Sequence, residues 1–253
     1  MIDAGDVVVS VLTGGRPELL AETLASTRRH HPGLLESAIV HVHWNMGDAE
    51  TGAVLAAHWD VLDSVEVTDE LWGIAASTNR LVERALATDA AYRINLQDDL
   101  FAHPDPGPWL DEARTLLDEG VAQVRLERHD APHAGKHTLT GERFAWRPLG
   151  PHRIVEDFPF TFRPTLLRLA DHRYAFPSTG EAGSIRRWHG EKFPRDTVQL
   201  VPGIWLHVGN HRDGMSLKFR NRRLNPSSFG WANVDKYVPA PGPSRIVERK
   251  PDA

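Results

Sequence analysis

The chain has 253 residues, 41% of them hydrophobic and 25% charged, which is the composition of an ordinary globule with a full core. A formal charge of −5 gives no general attraction to nucleic acid or anionic membrane, so no nucleic-acid partner is expected, although local arginine clusters can still bind phosphate. With no cysteine, disulfides, thiolate metal sites and cysteine nucleophiles are excluded. No apolar run approaches the roughly 18 residues of a membrane span, and the acidic opening from Met1 to Asp6 is unlike a secretory signal, so a cytoplasmic protein is expected.

Val7 to Leu12 is a continuous apolar run rich in β-branched residues, as expected of a strand buried on both faces. Thr13-Gly14-Gly15-Arg16 follows, and Pro17 suits the first turn of a helix running to His30, with Leu20, Leu24 and Thr27 at helical spacing. Ala38 to Trp44 reads as a second strand, with His41 and His43 on one face and Val40, Val42 and Trp44 on the other. Asn45 to Asp48 is its loop, Ala49 to Trp59 a second helix, and Val65 to Val67 a short third strand. Trp72 and Gly73 lead into a helix with Thr78, Leu81, Val82 and Ala85 inward. Tyr92 to Leu96 then alternates apolar and polar residues as a strand, and breaks into Gln97-Asp98-Asp99.

Two adjacent carboxylates between Leu96 and Leu100 repel each other and lose hydration, so a cation is expected beside them. A hard divalent ion carrying a diphosphate meets that need; alternatively Asp98 caps the next turn and Asp99 faces water. The alternation of strands and helices up to this point predicts an α/β fold with a mostly parallel sheet and helices on both faces. In such sheets ligands collect beyond the carboxyl ends of the strands, where the loops at Thr13, Asn45 and Gln97 all fall.

Downstream, Asp105 to Glu119 is predicted helical, with Trp109, Ala113, Leu116 and Leu117 inward and Gly120 as its stop. Val121 to Glu127 is predicted as a strand and Arg128 to Pro151 as a hairpin or long loop. Phe158 to Phe162 reads as a strand, Pro164 as the start of a helix carrying Leu166, Leu167 and Leu169, and a further helix starts near Glu181. Leu200 to Val208 is expected as a last apolar strand ending in His207-Val208-Gly209-Asn210-His211. The proline-rich tail, residues 238–253, has no apolar periodicity and is expected as a strap or a disordered segment.

Over roughly residues 7 to 211 the sequence resembles the GT-A glycosyltransferases, most closely the family-2-like enzymes that use nucleotide-sugar donors. The resemblance is carried by the opening strand with Thr13-Gly14-Gly15-Arg16-Pro17-Glu18-Leu19-Leu20 and the following Thr23-Leu24-Ala25-Ser26. It also rests on Gly73-Ile74-Ala75-Ala76-Ser77-Thr78-Asn79-Arg80, on Gln97-Asp98-Asp99 in the place of the DxD motif, and on Gly180-Glu181-Ala182 and His207-Val208-Gly209. No single motif is specific; their order and spacing together are. Gln97 departs from the pattern, because an amide hydrogen-bonds a ribose or base but supplies no charge.

The resemblance implies a single domain over residues 1–237, with a nucleotide-binding half of about 1–102 and an acceptor half of about 103–237. It implies Asp99 as direct ligand of Mn²⁺ or Mg²⁺, with Asp98 on the ribose or a metal-bound water and His207 completing the coordination, which favours Mn²⁺. His207 has an alternative as a strand-ending histidine bonded to backbone. Thr13, Gly14 and Arg16 are expected against the nucleotide, with Asn45 and Gln97 on the same rim, Arg80 as a fork donor to the diphosphate and Asn79 orienting the site. Glu181 is the expected general base of an inverting transfer and Asp157 the alternative. Arg212, Lys218, Arg220, Arg222 and Arg223 read as a solvated face, or as a loop closing over diphosphate. Trp72 and Trp146 are either core residues or sugar platforms.

The expected activity is thus a hexosyltransferase-like transfer from a nucleoside-diphosphate sugar to a small-molecule or glycan hydroxyl. Two other classes compete. A sugar-nucleotide nucleotidyltransferase should open with a glycine-rich run ending in a basic signature, which Thr13 to Pro17 lacks, and a noncatalytic nucleotide-sugar binding protein is motivated by Gln97.

Overall fold

The computed structural model describes residues 2–70, 72–104, 107–128, 145–156, 163–171, 196–208 and 243–249. Strand β1 (Val7–Thr13) is buried along nearly its whole length, as its β-branched run predicts. Helix α1 (Pro17–His30) opens on its proline, and a single turn, α2 (Leu34–Ser37), which the sequence reading did not anticipate, follows Gly33. Then come β2 (Ile39–Asn45), α3 (Ala49–Ala57), β3 (Ser64–Thr68), α4 (Gly73–Leu86) and β4 (Tyr92–Gln97). Asp48 starts α3 by accepting the Thr51 backbone N–H at 2.7 Å, and a 3₁₀ turn over Trp59–Val61 takes up the end of the predicted second helix.

Beyond β4 lie β5 (Leu100–Ala102), α5 (Trp109–Asp118), β6 (Gln123–Arg125), β7 (Trp146–Leu149) and β8 (His152–Val155). They are followed by β9 (Thr165–Arg168), β10 (Thr197–Gln199), β11 (Trp205–His207) and β12 (Ser244–Glu248). Ten strands form one mixed sheet in the order β12-β3-β2-β1-β4-β9-β6-β10-β8-β7, and β11 pairs separately with β5. β3, β2, β1 and β4 run parallel, flanked by β12 and β9 as antiparallel neighbours. The result is a single α/β domain with helices on both faces.

The two faces of this sheet differ in kind. Val7, Val9, Val11, Val40, Val42, Ile94, Leu96 and Leu166 share one face and pack with Leu20 and Leu24 of α1 and Leu110 and Leu117 of α5. The registers put Ser10, His41, His43, Glu66, Arg93 and Asn95 on the other face, all buried, under α4. His41 and His43 therefore share a face, as the alternation in β2 predicts. The inward residues of α4, Thr78, Leu81, Val82 and Ala85, are buried as expected.

The structure corrects several boundaries. The segment after Pro164 is the strand β9, not a helix: Leu166 and Leu167 are both buried because they face opposite sides of a strand wedged between β4 and β6. α5 begins at Trp109, four residues later than predicted, after Gly107 at φ +66° and Pro108, whose ψ of 50° is not helical. The predicted strand over 121–127 narrows to β6. The single strand expected over 200–208 is broken at Pro202-Gly203, so β10 stays in the large sheet while β11 crosses to β5. Described residues 145–156 form the β7–β8 hairpin turned at Gly150, which overlaps the end of the segment 128–151 expected as a hairpin or loop and extends beyond it. The tail acts as a strap through β12, whose residues 244–248 pair with β3.

Candidate active site

The chain leaves β1 for β2 and β3 on one side and returns to β4 on the other, so β1 and β4 are neighbours at the switch point of the sheet. Leu12 is paired with Gln97, and the Asp98 N–H donates to the Leu12 carbonyl at 3.1 Å. The loop after β1 therefore meets the acid pair directly. Asp98 is fully buried: the Thr13 hydroxyl donates to its Oδ2 at 2.8 Å and the Gly14 N–H at 3.1 Å. The Arg16 guanidinium forks across both acids, through Nη2 to Asp98 Oδ1 and through Nη1 to Asp99 Oδ2 at 2.7 Å.

The second sheet supplies the other side. β5 follows the acid pair at once, and β11 pairs with it so that His207 lies opposite Leu100. This brings His207 Nε2 to 3.1 Å from Asp99 Oδ2, and the Val208 N–H donates to the Asp99 carbonyl at 2.9 Å. Two buried residues of α1 hold β5 in place: Thr23 Oγ1 donates to the Leu100 carbonyl at 2.8 Å and Ser26 Oγ accepts the Ala102 N–H at 3.1 Å. Sequence reasoning assigned Thr23 and Ser26 no such role. Two polar residues three apart on the inner side of α1 are the signal that marks them.

Burial dominates the electrostatics. It pushes both carboxyls up, and the fully buried Asp98 stays raised; in Asp99 the hydrogen bond from His207 and the charge of Arg16 outweigh burial and hold the carboxyl at about 2. Burial alone would lower Arg16, but the two carboxylates raise it above the usual arginine range. Asp99 is an anion braced by cationic and polar donors, while its Oδ1 is buried with no hydrogen-bond partner among the described residues.

That unpartnered oxygen, with an imidazole nitrogen on the neighbouring Oδ2, is a donor set that fits a divalent ion such as Mn²⁺. Asp99 and His207 are the side chains that would hold it. No group of three or more His, Asp or Glu side chains able to hold a metal is present among the described residues.

The other predicted residues divide. Asn45 lies on the same rim, since a Cβ on Gly14 would stand 3.4 Å from its Cβ. Its side chain ties β2 to α4, however, accepting the Trp72 N–H at 3.1 Å and donating to Ser77 Oγ at 3.1 Å. Gln97 is half-buried at the end of β4, and Asn79 is half-buried on α4. Arg80 is engaged elsewhere, on Glu66 at 3.1 Å and on Glu83 at 2.5 Å. Trp72 is core, 3% exposed, with its ring 5.2 Å from that of His43. Trp146 is exposed under the Arg153 guanidinium on β7, five strands and roughly 24 Å of sheet from β4. Glu181, Asp157, His211 and the basic run at 212–223 lie outside the described residues.

No protein-family model matches this sequence, and no curated protein sequence matches it. Solved structures do. The crystal structure of S. aureus TarS 1-349 aligns with a TM-score of 0.54 at 14% identity, over 81% of this chain and 61% of that one. Crystals of the same TarS fragment in complex with UDP align at 0.54. The mannosyltransferase PcManGT from Pyrobaculum calidifontis, in complex with GDP-Man and Mn²⁺, aligns at 0.57 and 14% identity, over 94% of this chain and 68% of that one. The chain thus spans about three-fifths of the TarS fragment it matches. This fold is that of the GT-A-like nucleotide-sugar glycosyltransferases.

Proposed function

We propose that this chain is a glycosyltransferase that moves a sugar from a nucleoside-diphosphate sugar to a hydroxyl acceptor, with inversion. The observation that carries this reading is the braced acid pair at the β1–β4 switch point, with the Asp99 carboxylate facing His207 across two sheets. The complexes of its structural neighbours with UDP and with GDP-Man and Mn²⁺ support a nucleotide-sugar donor and a divalent ion.

In this reading Asp99 and His207 hold Mn²⁺ or Mg²⁺, which when bound supplies a Lewis acid for the charge that develops on the departing diphosphate. Thr13 and Gly14 fix Asp98 so that it keeps one orientation toward the donor. Glu181, with Asp157 as its alternative, is the proposed base that takes the acceptor's hydroxyl proton on the face away from the leaving group. The acceptor is a small molecule or a glycan. No helix among the described residues is long and apolar enough to cross a membrane. Cytoplasmic localisation is part of the same proposal.

The test is thermal stabilisation by a panel of nucleoside diphosphates, with and without Mn²⁺, on wild type and Asp99→Ala. At a ligand concentration about a hundredfold above Kd the gain is about 2.7 kcal/mol. A metal-dependent shift with one nucleotide, lost in Asp99→Ala, is the expected result. No shift with any nucleotide would remove the glycosyltransferase reading.

A further inference from the structure

The two carboxylates present four oxygens, and the structure accounts for three of them. Asp98 Oδ2 takes Thr13 and Gly14, Asp98 Oδ1 takes Arg16, and Asp99 Oδ2 takes Arg16 together with His207. Of the four, only Asp99 Oδ1 is buried without a hydrogen-bond partner among the described residues. Asp98 and Asp99 are 0% and 5% exposed, so a cation must neutralise them whenever the protein is folded, and the fork of Arg16 does so here. Arg93, the nearest other buried guanidinium along β4, is turned to Ser10 and Asn95 instead.

We infer that Arg16 is an exchangeable counter-ion of the acid pair, giving way to a divalent cation only when a nucleoside diphosphate arrives to receive its guanidinium. This rests on the donor-site reading above and adds its order of assembly. A divalent ion on Asp99 would stand within a few ångströms of the guanidinium, and the two cations repel. Arg16 is also the residue that precedes α1, so its side chain starts at the positive end of a 14-residue helix, where an incoming diphosphate is favoured and a second cation is not. A diphosphate offers Arg16 the same bidentate geometry it now has on the carboxylates. Metal and nucleotide should therefore bind cooperatively, each strengthening the other by the same factor.

The experiment is a Mn²⁺ titration followed by the EPR signal of free Mn²⁺, on wild type, Arg16→Gln and Arg16→Lys, each alone and with UDP or GDP. Arg16→Gln is expected to bind Mn²⁺ alone at least tenfold more tightly than wild type, and to lose at least tenfold of the tightening that nucleotide brings. Its melting temperature is expected to be lower than wild type without metal and to be restored by Mn²⁺, which alone leaves wild type unmoved. Arg16→Lys, which keeps a charge and so keeps the fold, should lie between. Equal or weaker Mn²⁺ binding by both variants, with nucleotide binding intact, would overturn the exchange while sparing the donor site. Failure of wild type to bind either nucleotide would overturn both.

Discussion

Thr13 reaches Asp98 across 85 residues of sequence, and nothing in the spacing of the two announces the bond. The acid pair itself was readable, because two adjacent carboxylates between leucines demand a cation whatever the fold. The identity of that cation was not. The sequence points Arg16 at the nucleotide and Arg80 at the diphosphate; in the structure Arg16 is forked on the carboxylates and Arg80 on Glu66 and Glu83. A sequence shows that a charge needs a partner; only the packing of β1 against β4 selects it. The Thr13 hydroxyl donates to a buried anion, so Thr13→Val, which keeps shape and loses the donor, should cost about 2 kcal/mol in urea unfolding, leaving the Arg16 fork in place.

At the scale of elements, the β-α-β run up to β4 is legible because β1 is an unbroken β-branched apolar run, β2 and β4 alternate apolar and polar residues, and α1 and α4 carry a clear inner face. The second half is less so. Over β9 the sequence points to a helix, because Pro164 and three leucines suit one, and only pairing on both sides makes them a strand. The apolar run over 200–208 predicts one continuous strand, but Pro202-Gly203 interrupts it, and that interruption is what delivers His207 to Asp99. Gly203 has φ +81°, and a Cβ there would lie 2.6 Å from Arg128 Cα and 2.9 Å from the Glu127 carbonyl oxygen. Gly203→Ala must therefore move backbone. It should lower the melting temperature by on the order of 5–10 °C and, by displacing β11, weaken the proposed Mn²⁺-dependent nucleotide binding, as thermal shift with and without ligand would show.

For the molecule as a whole, the histidines buried in the apolar core and on the sheet's polar face make stability depend on pH. Burial pushes His31, edge-on to the rings of Trp109 and Trp205, down to about 4. Burial, with some help from Arg84, does the same to His41, which shares a 2.6 Å hydrogen bond with Ser64 Oγ. The unfolded chain takes up these protons near pH 6.5, the folded one only near 4, so stability is full above 6.5 and falls as pH drops through that window. Each histidine contributes at most about 3 kcal/mol to the fall. Melting temperature measured from pH 7 to pH 4 should decline, and His31→Phe should flatten the decline. The adjacency of β1 and β4 also orders events in time. A chain emerging from the ribosome has no acid pair to bind until β4 is made and no His207 until more than a hundred residues later. A ligand held by Asp99 and His207 would therefore need both stretches of chain in place, and would slow unfolding rather than guide folding.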